Sequence, residues 1–148
     1  MSDVGIFVGT VYGNAQHVAE QVKEMFDTKG VSTKIFDDPS LEDFNQVSGA
    51  IFISSTTGQG DVPPNLEFFI ADLGEQLPLM GQKPFAVVGL GDSSYGETYC
   101  GAGRKIHALL RELQGKPVAD LLEVDACETL EPETEVVPWL ENLAANFA

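Results

Sequence analysis

Val4-Gly-Ile-Phe-Val-Gly9, followed at once by Thr10-Val-Tyr-Gly-Asn-Ala15, decides the fold. The first stretch is a short apolar run ending in glycine, the pattern of a strand buried on both faces. The second holds a glycine, two hydroxyls and an amide, but no lysine or arginine. It leads directly into Asn14 to Lys29, where Val18, Ala19, Val22, Met25 and Phe26 recur three and four apart on one helical face, and Gly30 is placed to stop the helix. A buried strand, a polar glycine turn and an amphipathic helix make the first half of a βαβ unit.

The rest of the chain repeats that unit. Val31 to Phe36 reads as a β-branched strand and Ala50 to Ser54 as a buried one. The link between them, Asp37 to Gly49, is about the minimum for a crossover and needs only an irregular helix around Leu41 to Phe44. Leu66, Phe69, Ile70 and Leu73 stripe a helix over Asn65 to Leu73. Phe85 to Leu90 is a strand. Ile106, Leu109, Leu110 and Leu113 stripe a helix over Gly103 to Leu113, with Gly115 and Pro117 beyond as breakers. Val118 to Val124 is expected as the fifth strand. A last helix starting between Glu133 and Pro138 carries Trp139, Leu140 and Leu143. Strands that are apolar throughout need helices on both sheet faces, so the fold class is α/β, a doubly wound parallel sheet.

Composition narrows the function. With 148 residues, the chain is read as one domain. Its apolar runs are too short to cross a bilayer and no secretory leader is evident at Met1, so a cytoplasmic address is expected. Two cysteines, Cys100 and Cys127, make no disulfide framework, and no Cys/His cluster has metal-ligand spacing. The net charge of −15 repels nucleic acid and anionic membranes and suits a partner with a basic face.

In a doubly wound sheet, ligands bind beyond the carboxyl ends of the strands at the topological switch point. Three polar, glycine-rich loops follow such ends. Gly9-Thr-Val-Tyr-Gly-Asn-Ala15 offers backbone N–H groups, the hydroxyls of Thr10 and Tyr12 and the amide of Asn14 to a phosphate, while Gly13 lets the backbone come close. It lacks the Lys-[Ser/Thr] of a nucleotide triphosphatase loop and the dinucleotide glycine fingerprint. Ser54-Ser-Thr-Thr-Gly-Gln-Gly-Asp61 could reorient a peptide at its glycines. Its bland reading is a polar loop capped by Asn65. Gly89-Leu-Gly-Asp-Ser-Ser-Tyr95, continuing to Tyr99 and Gly103, brings tyrosines that suit a planar ring.

Along essentially its whole length the chain resembles the short-chain flavodoxins, with loops similar to the FMN domains of cytochrome P450 reductase and sulfite reductase. The phosphate loop Thr/Ser-x-Thr-Gly-x-Thr falls on Thr10, Val11, Tyr12, Gly13, Asn14 and Ala15; Tyr12 keeps a hydroxyl and Ala15 has none. The second loop resembles Thr-Tyr-Gly-Glu-Gly-Asp. This places Ser55, Thr56, Thr57, Gly58, Gln59, Gly60 and Asp61 at FMN, with Thr57 where an aromatic stacks on the inner ring face. The third resembles Gly-Leu-Gly-Asn-x-x-Tyr, so Gly91, Asp92, Ser93, Ser94, Tyr95, Tyr99 and Cys100 join the set, Tyr95 over the outer face, and Asp125 lies at the site's edge.

The resemblance implies a five-stranded sheet of order 2-1-3-4-5 and an FMN-dependent electron carrier rather than an enzyme, with no metal and no catalytic residue. The carbonyl of Gly58 would face the flavin N5. A monomer is implied, served by a separate NAD(P)H-dependent flavodoxin reductase and an acceptor redox protein through transient electrostatic docking. His17 and His107 read as surface residues. Two other readings share the fold: an accessory protein with weak or no FMN, favoured by Thr57 and Ala15, and a quinone or flavin reductase.

Overall fold

β1 (Val4–Gly9) is buried at every position, as its unbroken apolar run requires. A computed structural model of the chain describes residues 3–10, 13–57, 60–91, 100–126, 128 and 131–147. β1 pairs in parallel with β2 (Thr33–Phe36) on one side and β3 (Gly49–Ser55) on the other; β3 pairs with β4 (Pro84–Gly91). The order is 2-1-3-4-5, the fifth position being shared by two short segments on the outer edge of β4. Gly49, expected as the end of the link, is the buried first residue of β3.

Side chains of the central strands alternate between two cores. On one face, Ile6, Val8, Ile51, Ile53, Ala86 and Val88 meet α1 (Asn14–Thr28) and α5 (Glu133–Leu143). On the other, Phe7, Phe52, Phe85 and Val87 meet α2 (Leu41–Gln46), α3 (Pro64–Gln76) and α4 (Gly101–Glu112). Phe7 lies in register with Phe36 and Phe52, and its ring stacks on theirs at 5.1 and 4.7 Å. Such cross-strand aromatic pairs each add of order 0.5–1.5 kcal/mol beyond burial. A Cβ at Gly5 would come 2.6 Å from the Phe7 ring, so this glycine makes room for the row.

Two expectations need correcting. The fifth strand does not run from Val118 to Val124. β5 (Lys116–Pro117) pairs with Pro84 and Phe85, β6 (Leu122–Asp125) with Val88 to Gly91, and 118–121 leave the ladder. Four residues there span two on β4, a double bulge at a sheet edge, where pairing is least constrained. The β2–β3 crossover holds a regular helix, because Ser40 and Asp43 form a reciprocal capping box at the start of α2. The last helix starts at Glu133, within the expected range, with Pro138 inside it and Val136 and Leu140 buried. Trp139 packs partly buried on the same core.

Candidate functional site

Parallel pairing sets Gly9 beside Ser54, Ser54 beside Gly89 and Gly91 beside Asp125. The segments leaving β1, β3, β4 and β6 therefore emerge side by side along the carboxyl edge of the sheet. A Cβ at Gly9 would approach the Ser54 hydroxyl to 2.5 Å, so glycine is what lets these ends lie close.

The first turn is organised by hydrogen bonds. Gly13 N–H donates to Thr10 Oγ1 at 2.8 Å, and Gly13 caps α1 in the left-handed region at φ 89°. Among the described residues no side chain caps α1, and its first turn holds no acidic residue. A helix cannot satisfy its own first N–H groups, and their partial positive charge favours an anion. Asn14 is exposed there, whereas Ala15 turns its methyl into the core, so only its backbone can serve a ligand.

Asn65 is the residue that sequence reasoning misread. The position before α3 is Pro63, not Asn65, and the Asn65 side chain does not cap its own helix. Its Oδ1 accepts from Thr10 N–H at 2.9 Å, while its Nδ2 donates to the Val8 and Asp37 carbonyls at 2.7 and 2.9 Å. One amide thus ties the ends of β1 and β2 and the phosphate turn to α3. The only local signal was an amide beside two prolines.

In the second loop, Thr57 and Asp61 form an antiparallel bridge, with N–H···O distances of 2.9 and 2.7 Å in the two directions. Gly60 is buried, with φ 84°. Ser55 donates its hydroxyl to the Gly9 carbonyl at 3.2 Å, and Thr56 Oγ1 accepts the Ala102 N–H at 3.3 Å. Asp61 is exposed and pairs with Lys105 Nζ at 3.4 Å. Gly91 ends β4 next to Asp125, and its carbonyl accepts the Ala126 N–H.

The Cys100 thiol is fully buried and directed at the Gly89 carbonyl, 3.4 Å away, where it packs α4 onto β4. The expected site residues Val11, Tyr12, Gly58, Gln59, Asp92, Ser93, Ser94, Tyr95 and Tyr99 lie outside the described residues.

His17 is exposed on the first turn of α1, 3.8 Å from Glu133. His107 is not the surface residue expected: it is half-buried, its ring edge-on to Phe85 at 5.4 Å. Burial lowers its pKa below 6.5, and so does Arg111, against a hydrogen bond with the Ala119 backbone and the charge of Asp120. An open cleft of about 550 Å³, lined by Lys34, Phe36, Asn45 and Lys83 among others, gathers residues preceding β1, β3 and β4 and so lies away from the carboxyl edge. Among the described residues no Cys, His, Asp or Glu group is placed to hold a metal, and no helix is long and apolar enough to cross a membrane.

The flavodoxin family model matches residues 6–139. This chain belongs to the flavodoxin family. Flavodoxin YqcA of Escherichia coli K12 is 38% identical over 143 residues, 95% of each chain, and protein MioC of the same strain is 34% identical over 140. The structure of a cysteine-to-serine variant of flavodoxin from Pseudomonas aeruginosa superimposes with a TM-score of 0.92 at 36% identity, covering 98% of both chains. A flavodoxin is an FMN-binding electron-transfer protein. The described residues fit that cofactor: an acid-free helix terminus behind a glycine in the left-handed region suits its phosphate, and open space surrounds the position a Gly13 Cβ would take.

Proposed function

We propose that this flavodoxin holds FMN non-covalently across the carboxyl edge of its sheet and exchanges electrons singly with separate protein partners. The observation that carries the reading is the convergence of the Thr10–Gly13 turn, the uncapped start of α1 and the Thr57–Asp61 loop at adjacent strand ends.

When bound, FMN supplies the redox chemistry, accepting and releasing electrons one at a time. The chain's own residues bind and bias it. The N–H groups of the first turn of α1, with the Thr10 hydroxyl and Asn14, hold the phosphate by hydrogen bonds and the helix dipole. Asn65 keeps that turn in place by fixing the Thr10 N–H. The Thr57–Asp61 bridge shapes the loop at the ring. Asp61 and Asp125, the phosphate and the overall charge of −15 oppose negative charge gathering on the ring. They lower the second one-electron potential relative to the first, so the protein works as a carrier rather than an enzyme.

Its partners are a NAD(P)H-dependent reductase and an acceptor redox protein, docking basic faces on this acidic surface in brief, salt-sensitive encounters. The protein acts as a cytoplasmic monomer. Spectroelectrochemical titration of the FMN-loaded protein tests the reading. Two resolved one-electron steps, the second at lower potential, are expected; a single two-electron wave with rapid nicotinamide turnover would instead indicate a hydride-transferring reductase.

A further inference from the structure

The first turn of α4 grips the second loop at three places. Gly101 lies against Gly60 so closely that a Cβ on Gly101 would fall 2.7 Å from the Gly60 Cα and 2.8 Å from its carbonyl oxygen. Ala102 donates its N–H to Thr56 Oγ1, and Lys105 reaches Asp61. The turn is itself immobilised from beneath. A Cβ on Gly103 would sit 2.8 Å from the Gly89 Cα of β4, and buried Cys100 enters the helix in the left-handed region at φ 52°, its thiol on the Gly89 carbonyl.

The loop is therefore held at Thr56, at Gly60 and at Asp61, and closed on itself by the Thr57–Asp61 bridge. Backbone-to-backbone contact leaves no side chain to yield, so any displacement of α4's first turn passes directly to the Gly60 peptide. By the family resemblance the peptide that faces the flavin is that of Gly58, which in sequence falls between the ties at Thr57 and Gly60.

We propose that Gly101, with its contact on Gly60, is a positioning residue that sets the separation of the two one-electron potentials. This rests on the FMN reading. Its logic is differential: a loop that must offer one peptide orientation to one oxidation level and another to the next is sensitive to crowding at its base, whereas oxidised FMN, held chiefly through its phosphate, is not.

The test is Gly101→Ala, with Thr56→Val as a second, near-isosteric variant that removes the acceptor for Ala102 and leaves the glycine contact intact. Both potentials of the FMN-loaded proteins are measured alongside the dissociation constant for oxidised FMN. The expected result is a roughly tenfold change in the ratio of the two one-electron equilibrium constants for Gly101→Ala, about 59 mV in their separation. A smaller change is expected for Thr56→Val, and the FMN affinity of Gly101→Ala stays within about threefold of the unaltered protein. Unchanged separation in both variants, or two potentials moving together, overturns the proposal while leaving the flavin reading intact. If the unaltered protein takes up no FMN, the flavin reading falls and this proposal with it.

Discussion

Asn65 makes the most direct prediction for a single residue. Asn65→Ala leaves the Thr10 N–H and the Val8 and Asp37 carbonyls without their partner. Unpaired polar groups that are partly or wholly buried cost about 1–3 kcal/mol each, and water reaching the site recovers some of this, so a loss of about 2–4 kcal/mol is expected in urea unfolding. FMN affinity should fall about tenfold or more as the phosphate turn loses its anchor. His107 gives a pH signature. Burial holds its folded pKa below 6.5, so under that pH the unfolded chain binds the proton that the folded one refuses. The stability contributed by neutral His107 is complete above pH 6.5 and is lost as pH falls toward the folded value. Stability curves of the protein and of His107→Gln, compared between about pH 7.5 and 5, should converge toward the acid end; parallel curves would contradict the assignment.

Elements differ in how openly the sequence declares them. β1, β3 and β4 were legible because strands covered on both faces read as unbroken apolar runs, and the α1 stripe from Val18 to Phe26 matches the residues the helix buries. The split between β5 and β6 was not, because half-buried edge residues such as Leu121, Leu122 and Glu123 carry no clear period. Nor were the contacts of Asn65 with Val8 or of Gly101 with Gly60, which join residues far apart in the chain. A glycine's freedom to turn shows in a sequence; the backbone it must touch does not. On α3, Phe68 is 80% exposed among exposed Pro64, Glu67, Ala71 and Asp72, and the helix contains no lysine or arginine. An exposed aromatic flanked by two acids, one turn from Asn65, suits a basic partner with an apolar pocket. Phe68→Ser should change stability by less than about 0.5 kcal/mol. In stopped flow it should slow reduction of a basic haem protein such as cytochrome c about threefold or more, at matched ionic strength.

Across the entire chain, the acid excess and the line of strand ends point to one role. Charge of −15 accelerates encounters with cationic partners, and salt screens that attraction. Raising ionic strength from about 0.05 to 0.5 M should cut the second-order rate with cytochrome c by about tenfold, while the rate with a neutral small-molecule oxidant stays nearly constant. The parallel sheet was legible beforehand because its central strands are obvious buried runs, whereas its order 2-1-3-4-5 came from the family resemblance.

Turns from separate parts of the chain grip one FMN, whose phosphate is held at the start of α1 with no lysine or arginine in the phosphate turn. Isothermal titration of the flavin-free protein with FMN, and then with riboflavin, measures it directly. The account predicts one FMN per chain, with riboflavin bound at least about tenfold more weakly because the start of α1 has no anion to hold. No heat with FMN and a colourless protein after incubation with excess cofactor, or equal affinity for the two ligands, would contradict it.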